Sequence, residues 1–151
     1  MIRTVINVNK KISELIEQLF PFEKNDKKLL YKFFGMFHVD SLVADVGGGK
    51  KPAKEVVKGT GIHATAAYDG YDIDLGELRL AERHYTNIFQ IDLTERLPQA
   101  YSSNYNFVIC LNTLEHVESS EDALRNISNM LKENGFLYLK LPCRHALFAK
   151  L

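Results

Sequence analysis

An α/β architecture built on a mostly parallel sheet is what this sequence predicts, and three observations predict it. Short apolar runs of strand length alternate with segments whose apolar residues fall at helical spacing. One run, Phe107–Leu111, is apolar throughout, as a strand covered on both faces requires. Another, Ser41-Leu-Val-Ala-Asp-Val46, runs straight into Gly47-Gly48-Gly49, the composition of a strand-to-helix turn. Strands alternating with helices imply βαβ units, which close into a parallel sheet with helices on both faces.

In chain order, Ile12, Leu15, Ile16, Leu19 and Phe20 share a helical face behind Asn9, a good helix cap, and Pro21 closes the segment. A second amphipathic helix follows Asp26, with Leu29, Leu30, Phe33, Phe34 and Phe37 on one face and Gly35 near its end. These two helices make residues 1–40 an N-terminal helical cap. Its aromatic stripe reads first as packing against a sheet and second as a lid over a ligand pocket. Residues 41–151 form the rest of one structural unit. Pro52 opens a helix after the glycines, because proline is tolerated where the first N–H has no partner. Thr65–Tyr71 reads as a second strand, Leu75–His84 as a helix and Asn87–Ile91 as a third strand. Beyond the fourth strand, Glu121–Lys132 repeats apolar residues at Ala123, Leu124, Ile127, Met130 and Leu131, and Asn134-Gly135 stops it. Phe136–Leu141 is the fifth strand, ended by Pro142. Five mostly parallel strands, helices on both faces and two leading helices amount to a Rossmann-like fold.

Composition narrows the function classes. The chain has 151 residues, and 19 Lys+Arg balance 19 Asp+Glu, so no basic footprint for nucleic acid is present. Apolar residues make up 46% and charged ones 25%, which fits a packed globular unit and excludes a disordered one. No run of about 18 apolar residues exists, so no transmembrane helix is expected. The opening stretch is too charged for a secretory leader. Cys110 and Cys143 lack CxxC spacing, which suggests reduced thiols and a cytoplasmic setting. His38, His63, His84 and His145 show no metal-ligand spacing, so no metal is expected.

Asp45-Val46-Gly47-Gly48-Gly49 carries the most chemistry. Its glycines let backbone approach a ligand, and the helix behind it offers unpaired N–H groups suited to a carboxylate or phosphate. A phosphate-binding P-loop needs GxxxxGK[ST], and Gly-Gly-Gly-Lys50-Lys51-Pro52 has neither the spacing nor the hydroxyl. A dinucleotide turn needs GxGxxG, and the third glycine is missing.

Asp45-x-Gly47-x-Gly49 instead resembles the D-x-G-x-G motif of class I S-adenosylmethionine-dependent methyltransferases of the small-molecule branch. The likeness continues in order through Gly70-Tyr71-Asp72-Ile73-Asp74, Gln90-Ile91-Asp92-Leu93 with Leu97-Pro98, Tyr105–Val117 and Ala123–Pro142. It covers residues 41–142, with steps of 27, 20 and 20 residues between Asp45, Asp72, Asp92 and Asn112. The resemblance implies S-adenosylmethionine as cofactor. It implies Asp72 on the ribose hydroxyls with Asp74 in reserve, Asp92 on the adenine amine with Ile91 and Leu93 beside the ring, and Ile73 among the cofactor-binding residues. Gly47 and Gly49 would let the backbone meet the methionine part, Asp45 would orient the loop and the α-amino group, and Gly48 and Asn112 would belong to the same cofactor site. Lys50 or Lys51 would either pair with the cofactor's carboxylate or stay solvated.

Catalysis by such a protein is an in-line displacement, in which alignment does much of the work and a base is needed only where the acceptor must lose a proton first. His116 is the candidate base, beside Glu115. The branch that methylates nucleobases carries Asn-Pro-Pro-aromatic where this chain has Asn112-Thr113-Leu114, which argues for a small-molecule acceptor, lipid- or sugar-like, and against nucleic acid. Two rivals stand beside this reading: a truncated or non-catalytic S-adenosylmethionine-binding module serving as a partner or regulatory subunit, and a dinucleotide-dependent dehydrogenase fragment. The resembling fold carries seven strands, and the nine residues after Pro142 are too few for two more. The expectation is a chain cut from a longer one, or an oligomer in which a partner covers the edge of Phe136–Leu141.

Overall fold

The computed structural model describes residues 22–56 and 67–142. Strands β1 (Leu42–Val46), β2 (Ala67–Asp72), β3 (Ile88–Gln90), β4 (Tyr105–Leu111) and β5 (Leu131–Lys140) form one parallel sheet in the order β3-β2-β1-β4-β5. Four helices accompany it among the described residues: α1 (Phe22–Phe34), α2 (Ala53–Val56), α3 (Leu75–Leu80) and α4 (Ser120–Met130). The five-stranded Rossmann-like expectation holds.

Alternation along the central strands sorts their side chains into two cores. Val43, Tyr68, Phe107 and Ile109 face α1, where they meet Leu30, Phe33, Phe34 and Phe37, together with Ala53, Leu78 and Tyr85. Ala44, Val46, Tyr71, Val108 and Cys110 point the other way, onto Ala123, Ile127 and Met130 of α4. The α1 stripe therefore packs on the sheet, with Phe33 set edge-on to Phe107 at 5.5 Å.

Several boundaries differ from expectation, each for a local reason. Among the described residues α1 already runs from Phe22, ahead of the predicted start after Asp26, because polar helix formers such as Glu23 and Lys24 leave no mark in the apolar spacing. Leu29 is 54% exposed and lies off the buried stripe. The predicted helix over 75–84 breaks at Ala81, where bonds tighten to the i−3 pattern, and continues as a 3₁₀ turn at Glu82–His84. α4 ends at Met130 because Leu131 is already extended and pairs with Tyr105. Asn134-Gly135 then sits inside an irregularity of β5, with Asn134 at φ 62°, before Phe136 rejoins the ladder opposite Phe107.

Among the described residues β5 is an edge strand, with Phe136, Leu137 and Leu139 exposed along it and Leu141 exposed just past its end. No described helix is long and apolar enough to cross a membrane. The first predicted helix, the start of the second predicted strand, His63, Cys143 and His145 lie outside the described residues.

Candidate functional site

The sheet order places a topological switch between β1 and β4, since the chain leaves β1 toward β2 on one side and returns as β4 on the other. Ligands of open α/β sheets bind outside the carboxyl ends of strands at such a point. The turn after β1 lies there. Gly47 takes φ 71° and donates its N–H to the Tyr71 carbonyl at 2.7 Å. A Cβ on Gly47 would fall 2.1 Å from Thr113 Oγ1, so the turn closes directly against the segment after β4. Gly49 takes φ 46°, and a Cβ there would meet Glu77 Oε2 at 3.0 Å and Asp72 Oδ2 at 3.4 Å. Both positions need glycine, for conformation and for space.

Asp45 is 1% exposed. Its Oδ2 accepts from Ala53 N and from the Tyr68 hydroxyl, each at 2.7 Å. The Tyr68 hydroxyl in turn accepts from Lys54 N at 3.1 Å. The first N–H groups of α2, expected to stay open for a ligand anion, are thus taken by the chain itself. This corrects the sequence-based expectation, and the reason is a buried carboxylate that needs donors. Burial pushes the Asp45 carboxyl up to about 6, with the Tyr68 hydrogen bond acting in the opposite direction.

Asp72 ends β2 and accepts from Asp74 N at 3.0 Å. The Asp74 carboxylate caps α3, accepting from Gly76 N at 2.8 Å and Glu77 N at 3.1 Å. Ile73 between them is 64% exposed. Past β3, Asp92 Oδ1 accepts from the Thr94 hydroxyl and backbone, which hold its carboxyl below the usual range. Ile91 and Leu93 are turned into the core and present no open side-chain face. Past β4, Asn112 takes φ 51° and donates its N–H to the Lys140 carbonyl. Gly47–Gly49, Asp72, Ile73, Asp92 and Asn112 therefore share one edge of the sheet.

A methyltransferase-domain family model matches residues 5–151. The chain belongs to this family. Among curated proteins it is similar to the ubiquinone biosynthesis O-methyltransferase of Glaesserella parasuis serovar 5 (strain SH0165), 28% identical over 109 residues, 69% of this chain and 46% of that protein. The chain thus spans about half the length of that relative. A SAM-dependent methyltransferase from Archaeoglobus fulgidus superposes with a TM-score of 0.62 at 20% identity, over 91% of this chain and 62% of that one. The trans-methyltransferase CalH, solved with SAH, gives 0.61 at 20% identity, over 74% of this chain and 34% of that one. These two likenesses show the fold, and the family membership carries S-adenosylmethionine as its cofactor.

In this methyltransferase domain the segment after β4 buries Leu114 and leaves His116 outside. His116 is exposed, and its Nε2 lies 4.0 Å from Glu115 Oε1. Cys110 is buried, and burial pushes its thiol up to about 11, which suits a core residue. Among the described residues no group of His, Cys, Asp or Glu has the arrangement to hold a metal. Lys50 pairs with Glu77 at 2.6 Å, on the rim of the glycine turn. Tyr85, Thr113 and Glu77 touch the turn and Tyr68 ties its flanks together through Asp45 and Lys54, and sequence reasoning named none of them as site residues. The available signal was Tyr68 inside a buried strand, where a hydroxyl must find a partner.

Proposed function

We propose that the chain holds S-adenosylmethionine across the carboxyl ends of β1 to β4 and transfers its methyl group to a small-molecule acceptor. The observation that carries this reading is the division of labour between two neighbouring acids. Asp74 spends its carboxylate on the α3 cap, while Asp72 faces the glycine turn across the gap that Gly49 leaves open. A carboxylate there suits the two hydroxyls of a ribose. The internal capping of α2 by Asp45 and Tyr68 supports the same reading over a dinucleotide, whose pyrophosphate needs those N–H groups free.

When bound, the cofactor supplies an electrophilic methyl on a sulfonium. The chain's own residues do the holding: Gly47 to Gly49 admit backbone to the methionine part, Ile73 offers its exposed side chain to the adenine, and Asp92 accepts from the adenine amine. Asn112 closes the site from β4. Leu93 would contribute backbone and scaffold rather than side-chain contact. His116 is the base where the acceptor must lose a proton. Its exposure and its distant partner equally support the second reading, a cofactor-binding module acting as a partner or regulatory subunit.

Calorimetry with S-adenosylhomocysteine tests the cofactor site. The parent chain should bind it, and Asp72→Ala should lose about 10²-fold in affinity, the cost of two charge-assisted hydrogen bonds. Unchanged affinity would show the ribose assignment wrong, and binding of NADH alone would overturn the cofactor reading. Transfer of labelled methyl groups into a metabolite extract separates enzyme from module.

A further inference from the structure

The glycine turn is held from below by two tyrosines. Their rings stack with centroids 5.9 Å apart and planes 16° from parallel. The Tyr68 hydroxyl donates to Asp45 Oδ2 and accepts from Lys54 N, so it joins the end of β1 to the first turn of α2. The Tyr85 hydroxyl donates to the Gly49 carbonyl at 3.3 Å. Gly70 makes the stack possible, because a Cβ there would lie 2.8 Å from the Tyr85 ring. Gly48 makes room for the other end of the same side chain, since its Cβ would fall 2.5 Å from the Tyr85 hydroxyl. Both ends of the turn and its middle are therefore tied to one aromatic pair.

Packing alone does not require these hydroxyls, because phenylalanine would fill the same slots. A buried hydroxyl costs stability unless it is bonded, and both of these are bonded to the turn or to its anchors. We propose that Tyr68 and Tyr85 are positioning residues for the cofactor, whose hydroxyls set where Asp45 and Gly49 stand and so how far the turn lies from Asp72. This rests on the S-adenosylmethionine reading above. The leverage is short. A Cβ on Gly49 would sit in van der Waals contact with Asp72 Oδ2, so a small shift of the turn reshapes the space for a ribose.

Burial keeps both phenols protonated, and so donors, by raising them well above their ordinary range. Asp45 is faced by Tyr68, Tyr85 and Asp72 from β2 and the segment after it and by Lys54 from α2, while Cys110 of β4 lies on the opposite face of the sheet. Of these, the Tyr68 hydrogen bond does most to keep its carboxylate ionised.

The test uses the full chain with Tyr68→Phe and Tyr85→Phe, read by thermal melting and by calorimetric binding of S-adenosylhomocysteine from pH 5.5 to 8. Tyr85→Phe, which loses one hydrogen bond, should melt within about 4 °C of the parent, and Tyr68→Phe, which loses two, within about 8 °C. Affinity at pH 7.5 should fall about fivefold in each. In Tyr68→Phe the acid-side loss of affinity should begin at higher pH than in the parent, whereas Tyr85→Phe should keep the parent's profile. Parental affinity and an unchanged pH profile in both variants would overturn the proposal, whatever their melting temperatures. Should one variant fail to fold, the other carries the comparison. A parent chain that does not bind S-adenosylhomocysteine would instead remove the cofactor reading, and this proposal with it.

Discussion

Two aspartates, Asp45 on β1 and Asp69 on β2, are both nearly sealed from solvent, and both end in tyrosine hydroxyls. Their consequences differ. Register pairs Asp45 with Gly70, so Asp69 stands one step deeper along the sheet, opposite Ala44. One step in a strand turns a side chain to the other face. Asp45 therefore reaches Ala53 and Tyr68 on the side of α2 and the glycine turn. Asp69 faces the other core, accepting from Asn87 N at 3.1 Å, Asn87 Nδ2 at 2.9 Å and Tyr105 at 2.9 Å, and Tyr105 is bonded on to Tyr71 at 2.5 Å. Similar chemistry braces a ligand turn on one face and ties β2, β3 and β4 together on the other.

The largest expected effect is at Asp69. Removing its carboxylate with Asp69→Ala strands three donors in the core, at a cost of about 3 kcal/mol. Thermal melting should show a drop of about 10 °C for a chain of this size. Affinity of the folded protein for S-adenosylhomocysteine should stay within about twofold of the parent, since no Asp69 partner touches the turn. A variant that melts like the parent and binds poorly would break the comparison by moving Asp69 into the site.

An effect that reaches the same size only at its pH extreme is expected at Asp45. Its carboxyl is raised from 3.8 to about 6 by burial, so between those values the folded chain holds a proton that the unfolded chain has released. The stability this proton confers is fully present below pH 3.8 and is lost as pH rises through 6. Asp45→Asn has no such titration. Measured against that variant, the parent should lose up to about 3 kcal/mol between pH 4 and 7. Parallel pH profiles for the two proteins would show that burial does not govern Asp45. Deleting the same charge should also weaken S-adenosylhomocysteine binding at pH 7.5, which is where Asp45 and Asp69 part company.

Much of the scaffold behind this contrast was legible in the sequence. Apolar runs of strand length sit where β1 and β4 form, and helical spacing located α4 to within two residues. Asp45, Gly47, Gly49 and Asp72 were legible because a positive φ calls for glycine and a strand end is a natural seat for an acid. Tyr85 was not. It lies 17 residues from Tyr68, and their stack depends on a 3₁₀ turn and on space at Gly70 that no periodicity encodes. The closing of α2's N–H groups was hidden for the same reason, since local spacing shows a donor without showing what folds back onto it. Leu93 shows the converse failure. An apolar residue beside Asp92 reads equally as a ring contact or as core, and only the path after β3 turns it inward.

The smallest effect concerns the rim above the turn. Lys50 and Glu77 form a short ion pair, yet their side chains are 52% and 39% exposed. Coulomb attraction there is screened by water and salt, and two long side chains must be ordered to realise it. Lys50→Met should therefore leave the melting temperature within replicate scatter. S-adenosylhomocysteine affinity should change by about twofold or less, the ordinary yield of an exposed pair. The alternative role for Lys50, as partner to the cofactor's carboxylate, demands a different result: about tenfold weaker binding at low salt, with the difference from the parent shrinking as ionic strength rises. That outcome would put a third kind of support beside the two buried acids, an exposed charge that touches the ligand itself. A salt-independent change of twofold or less would leave the holding of the turn to Asp45 and its tyrosines, with Lys50 only fastening the rim to α3.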